Sequence, residues 1–247
     1  MKLSCTRDNL HKGLSITSHL TSKNVNLPIL NNVLLKVDGA AIRMTTTNLE
    51  IAISCLVRGK VDEPGEFTIP SKLFFDYVNL LPNEKVDLIA DEEALAVSSG
   101  SYETKMKGLP ATDFPLVPSV SAESVFKIPV DTLRSALSQV LFAVASNESR
   151  PELAGVSMQF APSGTGGSLT LAATDSYRLA ESQITFPGEI KKELSVIVPA
   201  RTTSEINRIL SVFKDDVEAS SDVSVHIAEN QIAFTYGTVE LVSRTIE

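Results

Sequence analysis

Two segments of this chain share one pattern: Met44-Thr45-Thr46-Thr47-Asn48-Leu49-Glu50-Ile51 and Leu171-Ala172-Ala173-Thr174-Asp175-Ser176-Tyr177-Arg178-Leu179-Ala180. Each has a β-rich run, a threonine followed by Asn or Asp, and a second run. Short oxygen-bearing side chains bond their own backbone and tolerate tight conformations, so each reads as a strand–turn–strand corner. Thr47 and Thr174 stand 127 positions apart, Ile69-Pro70 and Val198-Pro199 129 apart, and Leu30-Asn31-Asn32-Val33 and Leu153-Ala154-Gly155-Val156 123 apart. Three spacings so close together point to a duplicated domain. A chain of 247 residues accommodates two such copies, each large enough to bury its own core.

A shorter unit repeats inside each copy. A strand over 1–6 leads into a helix over 7–20 with Thr6 or Asp8 near its cap. Strands over 32–38, 41–47 and 49–58 follow, the first two joined at Asp38-Gly39, a hairpin signal. In the third, Leu49, Ile51, Ile53, Cys55 and Val57 alternate with residues expected to face water. The scheme restarts at Glu66–Pro70 with a helix over 71–81 and strands near 85–90, 93–98 and 101–107. Pro110, Pro115 and Pro118 mark a connector whose polar tail is 119–124. Two more rounds follow: helix 130–145 with strands near 153–160, 168–174 and 177–185, and helix 200–213 with strands near 222–228, 231–236 and 238–245. The prolines of Ile69-Pro70, Ile128-Pro129 and Val198-Pro199 suit the first turn of a helix, where an N–H lacks a partner anyway. The expected class is α+β, with tandem domains over 1–120 and 121–247, each built of two β-α-β-β-β units.

Catalytic signatures are missing. His11, His19 and His226 lack the spacing to Cys or carboxylates that a metal site needs. Gly164-Thr165-Gly166-Gly167 has no Gly-Lys-Ser/Thr after it and reads as a hairpin turn. Asp175 beside Thr174 suggests an acid for a hydrolase or metal enzyme, but its duplicate is Asn48, which cannot ionise, so a turn role explains both. No cofactor or metal is expected. Cys5 and Cys55 form no C-x-x-C pair and fit buried strand positions in a reducing cytoplasm. The N-terminal residues lack the apolar stretch of a signal peptide, and no run is long enough to span a bilayer. The net charge is −8, yet the four expected helices carry Arg7, Lys12, Lys72, Arg134, Arg201 and Arg208 against Asp8, Asp76, Asp131 and Glu205. The helix layer is therefore less acidic than the body that holds it.

Leu27-Pro28-Ile29-Leu30-Asn31-Asn32-Val33, Thr47-Asn48-Leu49-Glu50-Ile51, Gly108-Leu109-Pro110-Ala111-Thr112-Asp113-Phe114-Pro115 and Ala173 to Ala180, in this order, resemble the bacterial DNA polymerase III beta subunit, or sliding-clamp, family. The resemblance implies a DNA-clamp fold with helices lining a ring and sheets forming its wall. It implies a non-catalytic processivity factor that encircles duplex DNA of any sequence. Its partners would be the polymerase III catalytic subunit, the clamp loader and other clamp-motif proteins, within a holoenzyme that also carries an exonuclease. Family members continue into a third domain, which this chain is expected to lack. A homo-oligomeric ring is expected only where that domain is present. The alternative is a truncated protein-binding scaffold that keeps its docking pocket without closing on DNA.

By position, the same resemblance makes Lys12, Lys72, Arg134, Arg201 and Arg208 channel residues, and Lys23, Asn24, Asn147 and Arg150 DNA-touching loop residues. It makes Leu153, Thr174, Ser176, Tyr177, Arg178 and Leu179 a peptide pocket, and places Leu73, Thr104 and Met106 at a ring interface. Ser176 replaces the family's usual glycine and Tyr177 its common histidine. If the backbone there needs positive φ, the serine is mildly strained.

Overall fold

Thr6 closes strand β1 (Lys2–Thr6) and caps helix α1 (Arg7–Thr17), its side chain accepting a hydrogen bond from the Asn9 N–H at 3.3 Å. In the computed structural model, which describes residues 1–20, 27–117, 120–121, 124–146, 150–164, 166–213 and 220–247, this strand-into-helix step occurs four times. The chain divides into two compact units, Met1–Val117 and Pro118–Glu247.

In the first unit, α1 is followed by β2 (Asn32–Asp38), β3 (Ala41–Thr47), β4 (Ile51–Val57) and a short β5 (Lys60–Glu63). Then come β6 (Gly65–Pro70), α2 (Ser71–Leu80), β7 (Lys85–Ala90), β8 (Ala94–Ser99) and β9 (Tyr102–Lys107). The β-α-β-β-β units are present, but their leading strands are exchanged. β1 pairs antiparallel with β7 of the second repeat, and β6 with β2 of the first. One sheet therefore runs β5-β1-β7-β8-β9 and the other has β6, β2, β3 and β4 as successive neighbours. Neither repeat completes its sheet alone, so the two halves form one core, with Leu10, Leu14, Phe74 and Val78 of the helices packed on Leu35, Met44, Val86 and Leu88.

The second unit has the same plan: β10 (Ser124–Pro129), α3 (Val130–Val140), β11 (Gly155–Ser163), β12 (Gly166–Thr174), β13 (Leu179–Phe186), β14 (Leu194–Pro199) and α4 (Ala200–Val212). It ends with β15 (Asp222–Ala228), β16 (Gln231–Tyr236) and β17 (Val239–Arg244). Again β10 joins β15 and β14 joins β11. Phe126 of β10 stacks on Phe160 of β11 at 4.5 Å, with Phe186 edge-on to both, so one aromatic cluster ties the two sheets.

Several expectations need correction. Pro70, Pro129 and Pro199 are cap residues, the last of their strands, with φ between −52 and −57. The first helical turn begins one residue later. Proline's fixed φ serves the turn out of the strand, and its missing N–H costs no helix bond. α1 ends at Thr17, leaving His19 in a turn, and α3 ends at Val140, followed by a 3-10 turn over Leu141–Ala143. In β4 the expected wet face is mostly dry: Ala52 and Ser54 are buried, and Ser54 shares a 3.0 Å hydroxyl pair with Thr45 across the strands. The 2.6 Å between a Cβ built on Gly13 and a Val57 methyl carbon is the distance at which α1 excludes any side chain there. Both cysteines are buried thiols outside any disulfide, and burial, with Asp87 adding, pushes the Cys5 thiol up to about 12.

Candidate functional site

The end of β12 is organised by two side chains. Thr174 Oγ1 donates to the Arg178 carbonyl at 2.7 Å and accepts the Ser176 N–H at 3.1 Å. Asp175 Oδ1 accepts the N–H groups of Tyr177 and Arg178, both at 3.0 Å, while Oδ2 takes the Arg178 Nε–H at 2.9 Å. The Tyr177 N–H, then the Arg178 backbone and guanidinium, hold the Asp175 carboxyl below the usual carboxylate range. At neutral pH it is an acceptor and has no proton to give. Ser176 sits at φ 75, so the turn needs the left-handed backbone that glycine would give most cheaply.

The corner at Thr47 is built in the same way. Thr47 Oγ1 donates to the Ile51 carbonyl at 2.9 Å and accepts the Leu49 N–H at 3.1 Å. Asn48 Oδ1 accepts the N–H groups of Glu50 and Ile51. Leu49, in the place of Ser176, has φ 78. The amide does all the backbone work of the carboxylate, so the acid is not there for proton transfer.

What differs is what fills the corner. Ile51, in the place of Arg178, is 2% exposed, and Leu30, in the place of Leu153, is buried too. In the first corner both of these positions are therefore buried, although Leu49 stays 48% exposed. In the second, Leu153 is half-buried, Leu179 is 69% exposed and Tyr177 98% exposed. Phe142, which the sequence reading missed, joins them: 61% exposed, it lies under the Arg178 guanidinium, whose carbon is 5.7 Å from the ring centre. The Ala145 N–H donates to the Leu153 carbonyl at 3.1 Å, fastening the strand of chain after Phe142 to the turn that carries Leu153. The signal was in the spacing: Phe142 stands 123 positions after His19, the offset that relates Leu30 to Leu153.

The helix cations divide by role. Arg7 is structural: its Nε donates to the Val78 carbonyl at 3.2 Å and its Nη2 to the Asn79 carbonyl at 2.8 Å, satisfying the C-terminal end of α2. Arg134 is paired with Asp131, and Arg208 with Glu205, each at 2.9 Å and three residues away on its own helix. Lys72, Arg150 and Arg201 are exposed and Lys12 is half-buried. Lys23, Asn24 and Asn147 lie outside the described residues. Of the ring-interface expectations, Leu73 is exposed on α2 and Thr104 half-buried on β9, but Met106 is 6% exposed and belongs to the core. Its side chain points inward at a core-facing position of β9, opposite the fully buried Leu95, so it fills the interior and offers no surface. Among the described residues, no three His, Cys, Asp or Glu side chains gather where a metal ion could be held. No described helix is long and apolar enough to cross a membrane.

Residues 1–118 match the family described as DNA polymerase III beta subunit, N-terminal domain, and residues 127–247 match its central domain. The beta sliding clamp of a Synechocystis species is 32% identical over 268 residues, a match that covers 100% of this chain and 66% of the relative. That of Synechococcus elongatus is 32% identical, with 100% and 65% covered. Among solved structures, a DnaN sliding clamp from Pseudomonas aeruginosa bound to griselimycin superposes with a TM-score of 0.89 at 29% identity, covering 100% of this chain and 65% of that one. The Caulobacter crescentus DNA polymerase sliding clamp does so at 0.90 and 27%, covering 100% and 66%. The chain thus spans about two thirds of the length of these relatives. The expected α+β clamp fold is the observed one, and the chain belongs to the DNA polymerase III beta subunit family.

Proposed function

We propose that this chain is the part of a sliding clamp that holds duplex DNA and docks replication proteins, without chemistry of its own. The observation that carries this reading is the contrast between two corners of one backbone design, with Leu30 and Ile51 buried in the first and Leu179 and Tyr177 exposed beside Arg178 in the second. An open apolar corner beside a fixed cation suits a short, partly hydrophobic peptide, because a few buried side chains dominate such binding. The occupants would be the polymerase catalytic subunit, the clamp loader and other clamp-motif proteins of the bacterial cytoplasm.

DNA would be held by phosphate contacts alone, since a sliding contact must not read bases. Lys12, Lys72, Arg201 and Arg150 are the leading candidates, together with Lys23, Asn24 and Asn147. Arg134 and Arg208 contribute less, their charge being offset by Asp131 and Glu205. Leu73 and Thr104 would lie at a protomer interface, and a homo-oligomeric ring would need the third domain of the full-length relatives. The domains themselves would divide near residue 120.

Griselimycin, the ligand of the Pseudomonas aeruginosa relative, is the test probe. Calorimetric titration should give binding that Arg178→Ala with Leu179→Ala weakens at least ten-fold, about 1.4 kcal/mol. Unchanged affinity in the double variant would remove the corner from the binding site.

A further inference from the structure

A phenylalanine 61% exposed, with an arginine over its ring, calls for a role. Arg178 is held at two points. Its Nε–H goes to Asp175 Oδ2 at 2.9 Å, and its guanidinium carbon lies 5.7 Å from the centre of the Phe142 ring, within cation–π reach. Its Nη1 and Nη2 groups have no hydrogen-bond partner among the described residues. The first unit supplies the control. There Ile51 stands in the place of Arg178 and is buried, and His19 stands in the place of Phe142, in an exposed turn. The ring is present where the arginine is present, and both are replaced in the first corner.

We propose that Phe142 is a positioning residue of the docking corner, whose ring holds the Arg178 guanidinium flat so that its outer N–H groups meet an oxygen acceptor of the docked peptide. The proposal rests on the docking corner described above. A planar guanidinium fixed by a carboxylate on one edge and a ring on its face loses little freedom when it donates its remaining N–H groups. The backbone beneath is equally fixed, because Asp175 and Thr174 bind every turn N–H from Ser176 to Arg178. The corner thus offers its cation already oriented.

The test is a double-mutant cycle on the full chain with the same probe, using Phe142→Ala in the parent and in the Arg178→Ala background. In the parent, Phe142→Ala should weaken binding about three- to five-fold. In the Arg178→Ala background the loss should vanish. An equal loss in both backgrounds would mean that the ring contacts the ligand or supports the fold on its own account, and would overturn the proposal, as would no loss in either. A second measurement needs no ligand: the ring current of Phe142 should displace the Arg178 side-chain proton resonances, and Phe142→Leu should return them to ordinary values. Resonances already ordinary in the parent would overturn the stacked geometry itself. Failure of the docking corner reads differently, as a parent whose affinity is indifferent to Arg178→Ala with Leu179→Ala.

Discussion

Leu49 and Ser176, 127 positions apart, hold the same left-handed backbone, at φ 78 and 75, and are the two non-glycine residues with positive φ among those described. Each follows a Thr-Asn or Thr-Asp pair that ties down the N–H groups of the turn. A left-handed conformation is costly for a residue with a Cβ, so the surrounding hydrogen bonds must impose it. That the duplication preserves a strained conformation while its side chain changes from Leu to Ser identifies the backbone shape as the shared feature.

Ser176→Gly should therefore raise stability. Relief of the left-handed penalty, about 1–2 kcal/mol, exceeds the added unfolded-state freedom of glycine, leaving a net gain of about 0.5 kcal/mol. Ser176 is exposed, so little burial is lost. The denaturation midpoint should rise with an unchanged slope; a fall would mean that the Ser176 side chain contributes contacts that outweigh the strain.

Asp175→Asn should fold as well as the parent at neutral pH, since Asn48 shows that an amide satisfies the same two N–H groups. Asp175→Ala, which leaves them without an acceptor, should lower the midpoint. The pH response separates charge from geometry. Because the folded-state pKa of Asp175 is depressed, its stabilisation is full above the ordinary carboxylate range and is lost as pH falls through the folded value. Acidification should thus narrow any advantage of the parent over Asp175→Asn. An advantage that widens on acidification would contradict the assigned direction.

The parts of the fold legible in sequence were those governed by local chemistry. Asp38-Gly39 gives a turn with Gly39 at φ 56, and the strands expected over 32–38, 41–47 and near 85–90 are the observed β2, β3 and β7. The exchange of β1 and β6 between repeats was not legible, because a lone strand such as Leu3-Ser4-Cys5 pairs equally well with either neighbour until both sheets exist. At the site, Thr174 to Leu179 announced itself by its duplicate. Phe142 did not, since it falls inside the helix expected over 130–145, where an aromatic residue looks like core, and its counterpart His19 is a different side chain. Met106 differs in the other direction: only the family resemblance placed it at an interface, whereas the alternation of β9 turns it inward.

Gly13 makes a sharper test of the packing. It lies on the buried face of α1, and a built Cβ would stand 2.6 Å from a Val57 methyl carbon and 3.0 Å from the Met44 sulfur. Gly13→Val forces α1 off β3 and β4, and should cost about 2–3 kcal/mol despite a better helix propensity than glycine. Thermal unfolding would measure it. A neutral effect would mean that the helix can ride outward without disturbing the core beneath Leu10 and Leu14.

Arg7 and Lys72 begin two helices of the first unit, and charge alone would give them one role. The geometry gives them two. Arg7, four-fifths buried, bonds the carbonyls of Val78 and Asn79 at the end of α2, so Arg7→Ala leaves the part-buried Val78 carbonyl without its donor and should cost about 1 kcal/mol. Its effect on DNA should be confined to what lost stability produces. Lys72 is exposed on the first turn of α2, and Lys72→Ala should change stability by less than about 0.5 kcal/mol. If it contacts phosphate, the variant should weaken binding equally on unrelated duplexes and reduce the slope of log affinity against log salt by about 1. Fluorescence anisotropy across a salt series, paired with denaturant unfolding, measures both. A Lys72 variant with an unchanged salt slope would take α2 out of the DNA-facing surface, whatever its stability.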